Sequence, residues 1–533
     1  MPFGAARPAP NSAQTRSTYR LPMAQPLTIN DFLDRAIAVY PDRVAVIDEP
    51  DQPAAPMPNL TYRQLGDVRR SIGVALDELG VPMGGRVAVV SQNSARFLTM
   101  YYGVPGNGRV IVPINFRLKP EEVAYIVEHS GAEVLLLDPE VAASLSGICC
   151  RHVIVFGEES DAIFLDRPGQ PVMWEPDEDA LVSIDYTSGT TARPKGVEQT
   201  HRARWTNTAI MGWQFGINDR DVYLHLVPMF HCDAWAMPYN LSAMGVTQVV
   251  QRKVDGPEIL RRIGRYGVTF TGGAPAVCTA VLDAATDWDG AVPGRDRVRI
   301  VVAGAPPPTS IIEQIETELQ WEFIQLYGLT ETAPMVTVSR SRAEWDHLTP
   351  SARAQKLGRA GAPAIGVTVK VSPDGEIMAR ANHFLARYWR NPEATSAALD
   401  DGWFHTGDGG VRDEEGYYSI TDRKKDVIVS GGENVSSIEV EDALFAHPAV
   451  REVAVIGVPH AKWGETIKAL VVLANGTVVS EHELIDHCKT KLAGYKCPTS
   501  VEFRMELPRT ATGKLQKYVL REPFWADMAR KVN

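Results

Sequence analysis

Five short apolar runs, at residues 87–90, 110–114, 134–137, 153–156 and 298–302, recur between stretches with helical spacing. A strand with one wet face alternates apolar and polar residues, whereas an unbroken run of Val, Ile and Leu leaves no face for water. Such strands must be covered on both sides, which points to mainly parallel sheets flanked by helices. Thr28-Ile-Asn-Asp31 reads as the capped start of a helix that carries Phe32, Leu33, Ala36, Ile37 and Tyr40 on one face. Residues 367–371 and 376–379, joined through Pro373-Asp-Gly375, read instead as an antiparallel hairpin.

The last hundred or so residues follow another pattern. Strand-like runs at 453–458 and 469–473 precede a helix opened by the capping box Ser480-Glu-His-Glu483 and ending near Gly494. The charged stretch Thr421-Asp-Arg-Lys-Lys-Asp426 lies just before this unit and marks a boundary. The expected class is α/β: a large N-terminal domain of mixed, mainly parallel sheets flanked by helices, with a small β-barrel-like part, and a small α+β C-terminal domain. The expected division is a disordered tail at 1–27, a large domain at 28–424 and a mobile small domain at 425–533. A chain of 533 residues has ample length for this.

With 54 Lys+Arg against 65 Asp+Glu the net charge is −11, which excludes long-range attraction to nucleic acid or an anionic membrane surface. Cys149, Cys150, Cys232, Cys278, Cys488 and Cys497 form neither a CxxC pair nor a zinc-spaced cluster, so they read as reduced, mostly buried thiols. The Ala-, Pro-, Ser- and Arg-rich start lacks the apolar core of a signal peptide, and no later stretch is long and apolar enough to span a bilayer. A soluble, cytoplasmic protein is the expectation.

Chemistry concentrates in Tyr186-Thr-Ser-Gly-Thr-Thr-Ala-Arg-Pro-Lys-Gly-Val197. Hydroxyl residues around a glycine, with a lysine close behind, can line a loop with donors for phosphate oxygens. The G-x-x-x-x-G-K-[ST] spacing of a Walker loop is absent. By composition alone the segment is equally an ordinary surface loop. In sequence it is followed by Tyr327-Gly-Leu-Thr-Glu331, His405-Thr-Gly-Asp408, Asp422-Arg-Lys-Lys-Asp426 with Gly431-Gly-Glu-Asn434, and Pro508-Arg-Thr-Ala-Thr-Gly-Lys514. These five segments, in this order, resemble the motifs of the adenylate-forming superfamily, to which AMP-forming acyl-CoA synthetases belong.

The resemblance implies two half-reactions at a site between two domains. A carboxylate attacks the α-phosphate of ATP to give an acyl-adenylate, and a thiol, that of coenzyme A, then displaces AMP. It assigns catalysis to Lys514, Glu331 and Thr330, and a Mg²⁺ ion to Thr187 and Glu331, oxygen donors suited to a hard cation. It assigns ATP and AMP to Thr187, Ser188, Gly189, Thr190, Thr191, Lys195, Gly304, Ala305, Pro306, Gln325, Tyr327, Gly328, Thr330, Asp408, Ile420, Arg423 and Lys514. The acyl pocket falls to His231, Trp235, Gly273 and Gly304, with His231 a wall or gate rather than a general base, and Trp235 open to a plain core reading. Lys425 is the expected pivot, with Gly431, Gly432 and Glu433 on the coenzyme A side. Small residues in Thr271-Gly-Gly-Ala-Pro275 and Ala303-Gly-Ala-Pro306 suggest room for a bulky acyl or ring system.

Two positions depart from the family pattern: Ala192, where the phosphate loop usually has Gly, and Ala303 in the later Gly-Gly-Ala-Pro pattern. If residue 192 needs positive φ, alanine there brings strain on the order of 1 kcal/mol. The expected enzyme is an ATP-dependent, AMP-forming acyl-CoA ligase acting on an apolar acid, either medium-chain or bulky and polycyclic. Its rivals are a partial enzyme that only moves a supplied acyl-adenylate onto coenzyme A, a loader of a carrier protein on a separate chain, and a non-catalytic adenylate-binding relative. The first would need a partner enzyme to supply the adenylate. A homodimer is compatible with the sequence.

Overall fold

The continuous Val, Ile and Leu runs fold as fully covered strands. The computed structural model describes residues 25–187, 193–423, 427–430, 433–460, 463–509 and 515–525. Among these, a six-stranded sheet places His152–Val155, Ala132–Leu137, Arg86–Val90, Val110–Ile114, Leu181–Thr187 and Lys195–Thr200 side by side in that order. The first five are parallel, and only the last pair is antiparallel. Val87, Val89, Leu135 and Leu136 are completely buried. The edge strand differs: Val153 is 40% exposed because no neighbour covers its outer side.

A nine-stranded sheet forms the second layer, with Glu322–Tyr327, Arg299–Val302, Phe270–Gly273, Val222–His225, Thr247–Val250 and Val44–Ile47 parallel through its centre. Its outer strands turn antiparallel at both ends. The hairpin expected near Pro373 is present as Thr368–Val371 against Glu376–Arg380, within a five-stranded antiparallel sheet that also holds Trp403–Arg412 and Tyr418–Arg423. The large N-terminal domain is thus mixed α/β, and a smaller α+β unit follows it. There Val450–His460 and Gly464–Leu473 pair antiparallel, and the helix Glu481–Lys491 starts on the complete Ser480/Glu483 capping box.

The first helix starts where Thr28-Ile-Asn-Asp31 places it, with Ile29 already at helical φ/ψ and Asp31 N bonded to Thr28 O at 3.2 Å. It spans Asn30–Val39, and the cap position, Ile29, supplies no side-chain cap. The Asp31 carboxylate accepts from the Trp205 indole N–H at 3.0 Å as well as from the Thr28 backbone, so a tertiary bond is added to the local one. All six cysteines are free thiols: Cys232, Cys278, Cys488 and Cys497 are buried, whereas Cys149 is exposed. No helix among the described residues is long and apolar enough to cross a membrane.

Candidate active site

The antiparallel pair Leu181–Thr187 and Lys195–Thr200 sets Thr187 directly opposite Lys195. Ser188, Gly189, Thr190, Thr191 and Ala192, between them, lie outside the described residues. The Lys195 ammonium sits 5.1 Å above the Tyr388 ring, a cation–π distance. The Tyr388 hydroxyl donates to Glu331 Oε1 at 2.8 Å. Burial, reinforced by the Glu331 charge, pushes the Tyr388 phenol well above its ordinary value, so it stays an O–H donor. Lys195 and Glu331 therefore meet at one ring that neither of their sequence segments contains, with Thr187 paired to Lys195 on the ladder.

Glu331 occupies the short turn Thr330–Thr332, which tertiary bonds fix. Its carbonyl accepts from Leu385 N at 2.8 Å, and Thr330 O accepts from Gln199 Nε2 at 3.1 Å. Gly328 makes this turn possible, because a Cβ there would lie 1.6 Å from the Pro334 carbonyl oxygen. On the strand leading in, the Tyr327 hydroxyl donates to Asp408 Oδ2 at 2.9 Å. Asp408 faces Arg423 across the pair Trp403–Arg412 and Tyr418–Arg423, with Ile420 opposite Gly410 on the same ladder. Asp408 is 8% exposed, and its N–H is held by Thr406 Oγ1 at 3.1 Å.

His231, Trp235, Gly304, Gly328 and Thr330 line one cavity of about 40 Å³, together with Cys232, Leu326 and Pro334. That volume holds about one or two water molecules. The cavity beside the small residues is narrow among the described residues, with the Trp235 ring packed over Gly272, where a Cβ would lie 3.2 Å from it. Gly304, at φ +94°, keeps a backbone that a side chain would strain, and Ala305 and Pro306 follow it. Gly273 and Gln325 lie outside the lining. Gly273 faces Val277, and the Gln325 amide, in the orientation that satisfies it, donates to the Leu357 carbonyl at 2.9 Å. A larger open cleft of about 760 Å³, walled by Arg86, Trp174, Glu175, Asp177 and Trp389, holds none of the expected site residues.

Asp233, one residue from the pocket lining, does not face the pocket. It is buried and paired with Arg204 Nη2 at 2.7 Å. Asp185 joins the same guanidinium at 3.3 Å, and burial, with the Asp233 charge beside it, pushes the Asp185 carboxyl well up. In the small unit, Lys425, Gly431, Gly432 and Lys514 lie outside the described residues, and the Arg423 side chain is likewise not described. Glu433 is exposed and opens the strand Glu433–Val435.

The donors around Glu331 suit magnesium. The Glu331 carboxylate is a hard oxygen donor of the kind that cation takes, and Tyr388 occupies only one of its oxygens; the Thr187 hydroxyl expected beside it is of the same kind. Among the described residues no group of three or more His, Cys, Asp or Glu could hold a metal alone.

Comparison with known proteins gives a consistent picture. Residues 33–389 match the AMP-binding enzyme family and residues 439–514 the AMP-binding enzyme C-terminal domain. A probable acyl-activating enzyme of Arabidopsis thaliana is 35% identical, over 93% of this chain and 97% of its own length. A 2-methylpropanoate–CoA ligase of Humulus lupulus is 34% identical, over 95% and 96%. Among solved structures, o-succinylbenzoate CoA synthetase from Bacillus subtilis, in complex with its acyl-adenylate, superposes with a TM-score of 0.80 at 29% identity, over 96% of this chain and 99% of that one.

Proposed function

Because the chain belongs to the AMP-binding enzyme family, we propose that it is an ATP-dependent, AMP-forming acid–thiol ligase that converts a small apolar carboxylic acid to its coenzyme A thioester. The observation that carries this reading is the turn 328–331: one side closes the cavity with Trp235, and the other presents Glu331 to the Tyr388 hydroxyl, whose ring carries the Lys195 ammonium. An acid seated in the cavity would meet the triphosphate end of a nucleotide there.

In the first half-reaction a carboxylate oxygen attacks the α-phosphorus, the bond to the bridging β-phosphate oxygen breaks, and pyrophosphate leaves. Two anions approach one another, so the chain contributes mainly positioning and charge neutralisation. Lys195 and Lys514 supply positive charge, and the Ser188, Thr190 and Thr191 hydroxyls and the Thr330 hydroxyl donate to phosphate oxygens. Thr187 and Glu331 would hold Mg²⁺, which when bound neutralises phosphate charge. Asp408, oriented by Tyr327, accepts from the ribose hydroxyls, with Arg423 beside it. In the second half-reaction a thiol sulfur bonds to the acyl carbon, AMP leaves with the electron pair of the broken C–O bond, and the thiol proton is released.

The two steps require different groups over one site, so a small domain at 425–533 would turn about Lys425 relative to a large domain at 28–424 and bring Gly431, Gly432 and Glu433 to the coenzyme A side. A relative named for 2-methylpropanoate supports an acid with a short apolar tail. ATP–pyrophosphate exchange tests the proposal: exchange dependent on a small apolar acid supports it. Thioester formation only from supplied acyl-adenylates, without exchange, would replace it with the single-step enzyme. Transfer to a carrier protein in preference to coenzyme A would replace it with the loader.

A further inference from the structure

The segment between His231 and Met237 contains no glycine, yet Cys232, Asp233, Ala234, Trp235 and Ala236 have φ of 49°, 51°, 50°, 59° and 60°. Five successive residues in the left-handed region oppose the steric preference of every L side chain, and such a backbone persists only where its surroundings over-determine it. Cys232 and Trp235 line the cavity, so this strained turn is one of its walls. Backbone bonds hold it partly: Ala234 N donates to Met229 O at 3.2 Å and Ala236 N to Asp233 O at 2.9 Å.

The remaining restraint is ionic and fully buried. The Asp233 carboxylate takes Arg204 Nη2 at 2.7 Å and the Ser183 hydroxyl at 2.6 Å, and Arg204 and Asp233 are each 0% exposed. The same guanidinium reaches Asp185 Oδ2 at 3.3 Å and, through Nη1, the Ala333 carbonyl at 3.2 Å. Ser183 and Asp185 lie on the strand that ends at Thr187, and Ala333 closes the turn carrying Thr330 and Glu331. One side chain on the helix His201–Phe215 thus ties three walls together: the strand entering the phosphate loop, the turn bearing Glu331 and the acyl wall.

Stability does not account for this arrangement. Apolar side chains of similar volume usually do as well as a buried ion pair or better. Asp185 Oδ1, Asp233 Oδ1 and Arg204 Nε also have no hydrogen-bond partner among the described residues. Fixed geometry is what a buried guanidinium with directional donors supplies and an apolar cluster does not. We infer that Arg204 and Asp233 are positioning and specificity-determining residues, which lock the left-handed turn so that Trp235 sets the depth of the acyl pocket relative to Thr187 and Glu331. Neither touches a substrate. The inference rests on the proposed ligase reading, since it assigns the cavity to the acid.

The test compares Asp233→Ala, Asp233→Asn and Arg204→Lys with the unaltered protein. The readouts are ATP–pyrophosphate exchange with butyrate and octanoate, and calorimetric binding of the non-hydrolysable butanoyl- and octanoyl-sulfamoyl adenosines. Asp233→Ala should raise KM for butyrate about tenfold, leave KM for ATP within twofold, and shift the butanoyl-to-octanoyl affinity ratio at least fivefold toward the longer chain. Asp233→Asn, which keeps an acceptor and tolerates positive φ, should restore the ratio. Arg204→Lys should behave as Asp233→Ala does, and it decides the matter if that variant does not fold. An unchanged acyl ratio in a folded variant, or equal rises in KM for acid and ATP, overturns the inference. If the unaltered protein neither exchanges nor binds either analogue, it is the ligase reading that fails.

Discussion

Tyr388→Phe removes one oxygen from the site and little else. The ring stays, so its packing at 6% exposure and its 5.1 Å contact with the Lys195 ammonium are kept. What is lost is the 2.8 Å hydrogen bond to Glu331. A hydrogen bond to a charged group contributes about 1.5–3 kcal/mol, and leaving the acceptor unpaired costs most where water cannot replace the donor. Glu331 is half-buried, so water can partly substitute, and the low end of that range applies. At about 1.4 kcal/mol per factor of ten, the adenylation kcat/KM should fall roughly tenfold. The Mg²⁺ concentration for half-maximal rate should rise with it, because a carboxylate freed to rotate meets the ion less often. The assay is pyrophosphate exchange across a Mg²⁺ titration, run beside thioester formation from synthetic acyl-adenylate, which should stay within twofold of the unaltered protein. Exchange and Mg²⁺ dependence both unchanged would show that Tyr388 does not orient Glu331 for the reaction.

Other perturbations have defined outcomes. Gly328→Ala puts a methyl group where the Pro334 carbonyl stands, 1.6 Å away; the turn must shift, destabilising the protein by about 1–3 kcal/mol or more and abolishing exchange, and a urea midpoint equal to that of the unaltered protein would contradict the geometry. Trp235→Ala keeps a residue at φ 59° but removes the ring beside Gly272; a stability loss of about 3–5 kcal/mol should accompany acceptance of longer acids, and an unaltered acid profile would show that Trp235 is not the pocket floor. Burial holds His201 down at about 3 and His225 and His383 at about 4. The unfolded chain protonates these histidines first, near pH 6.5, so the folded state keeps its full stability above that pH and loses it as pH falls toward 4. Each contributes about 1.4 kcal/mol per pH unit in that window, so urea midpoints should drop steeply between pH 6.5 and 5; a flat profile would refute the assignment of three neutral buried rings.

Local signals were legible and long-range ones were not. Continuous β-branched runs announced the covered strands, and the Ser480/Glu483 spacing announced its helix, because both are written in adjacent residues. The start of the first helix was local and legible, but the partner Asp31 finds 174 residues away in Trp205 was not. Tyr388 had no motif around it, yet it stands 57 residues from Glu331 in sequence and within hydrogen-bond reach in space. The left-handed turn at 232–236 gave no warning because glycine, the usual marker of positive φ, is absent there. The size of the cavity was also hidden: small residues suggested room, but the orientation of Trp235 decides how much there is. Ser188, Gly189, Thr190, Thr191, Lys425 and Lys514 stand on their sequence motifs alone.

On the proposed reading, one chain carries both half-reactions on a small apolar acid. ATP–pyrophosphate exchange across short, medium-chain and polycyclic acids, run beside a coenzyme A assay on synthetic acyl-adenylates, tests it most directly. Exchange should be strongest with acids of the size of 2-methylpropanoate or butyrate, together with thioester formation from the matching adenylates. Brisk thioester formation without exchange for any acid would contradict it, and would make this chain the second half of a reaction begun by another enzyme.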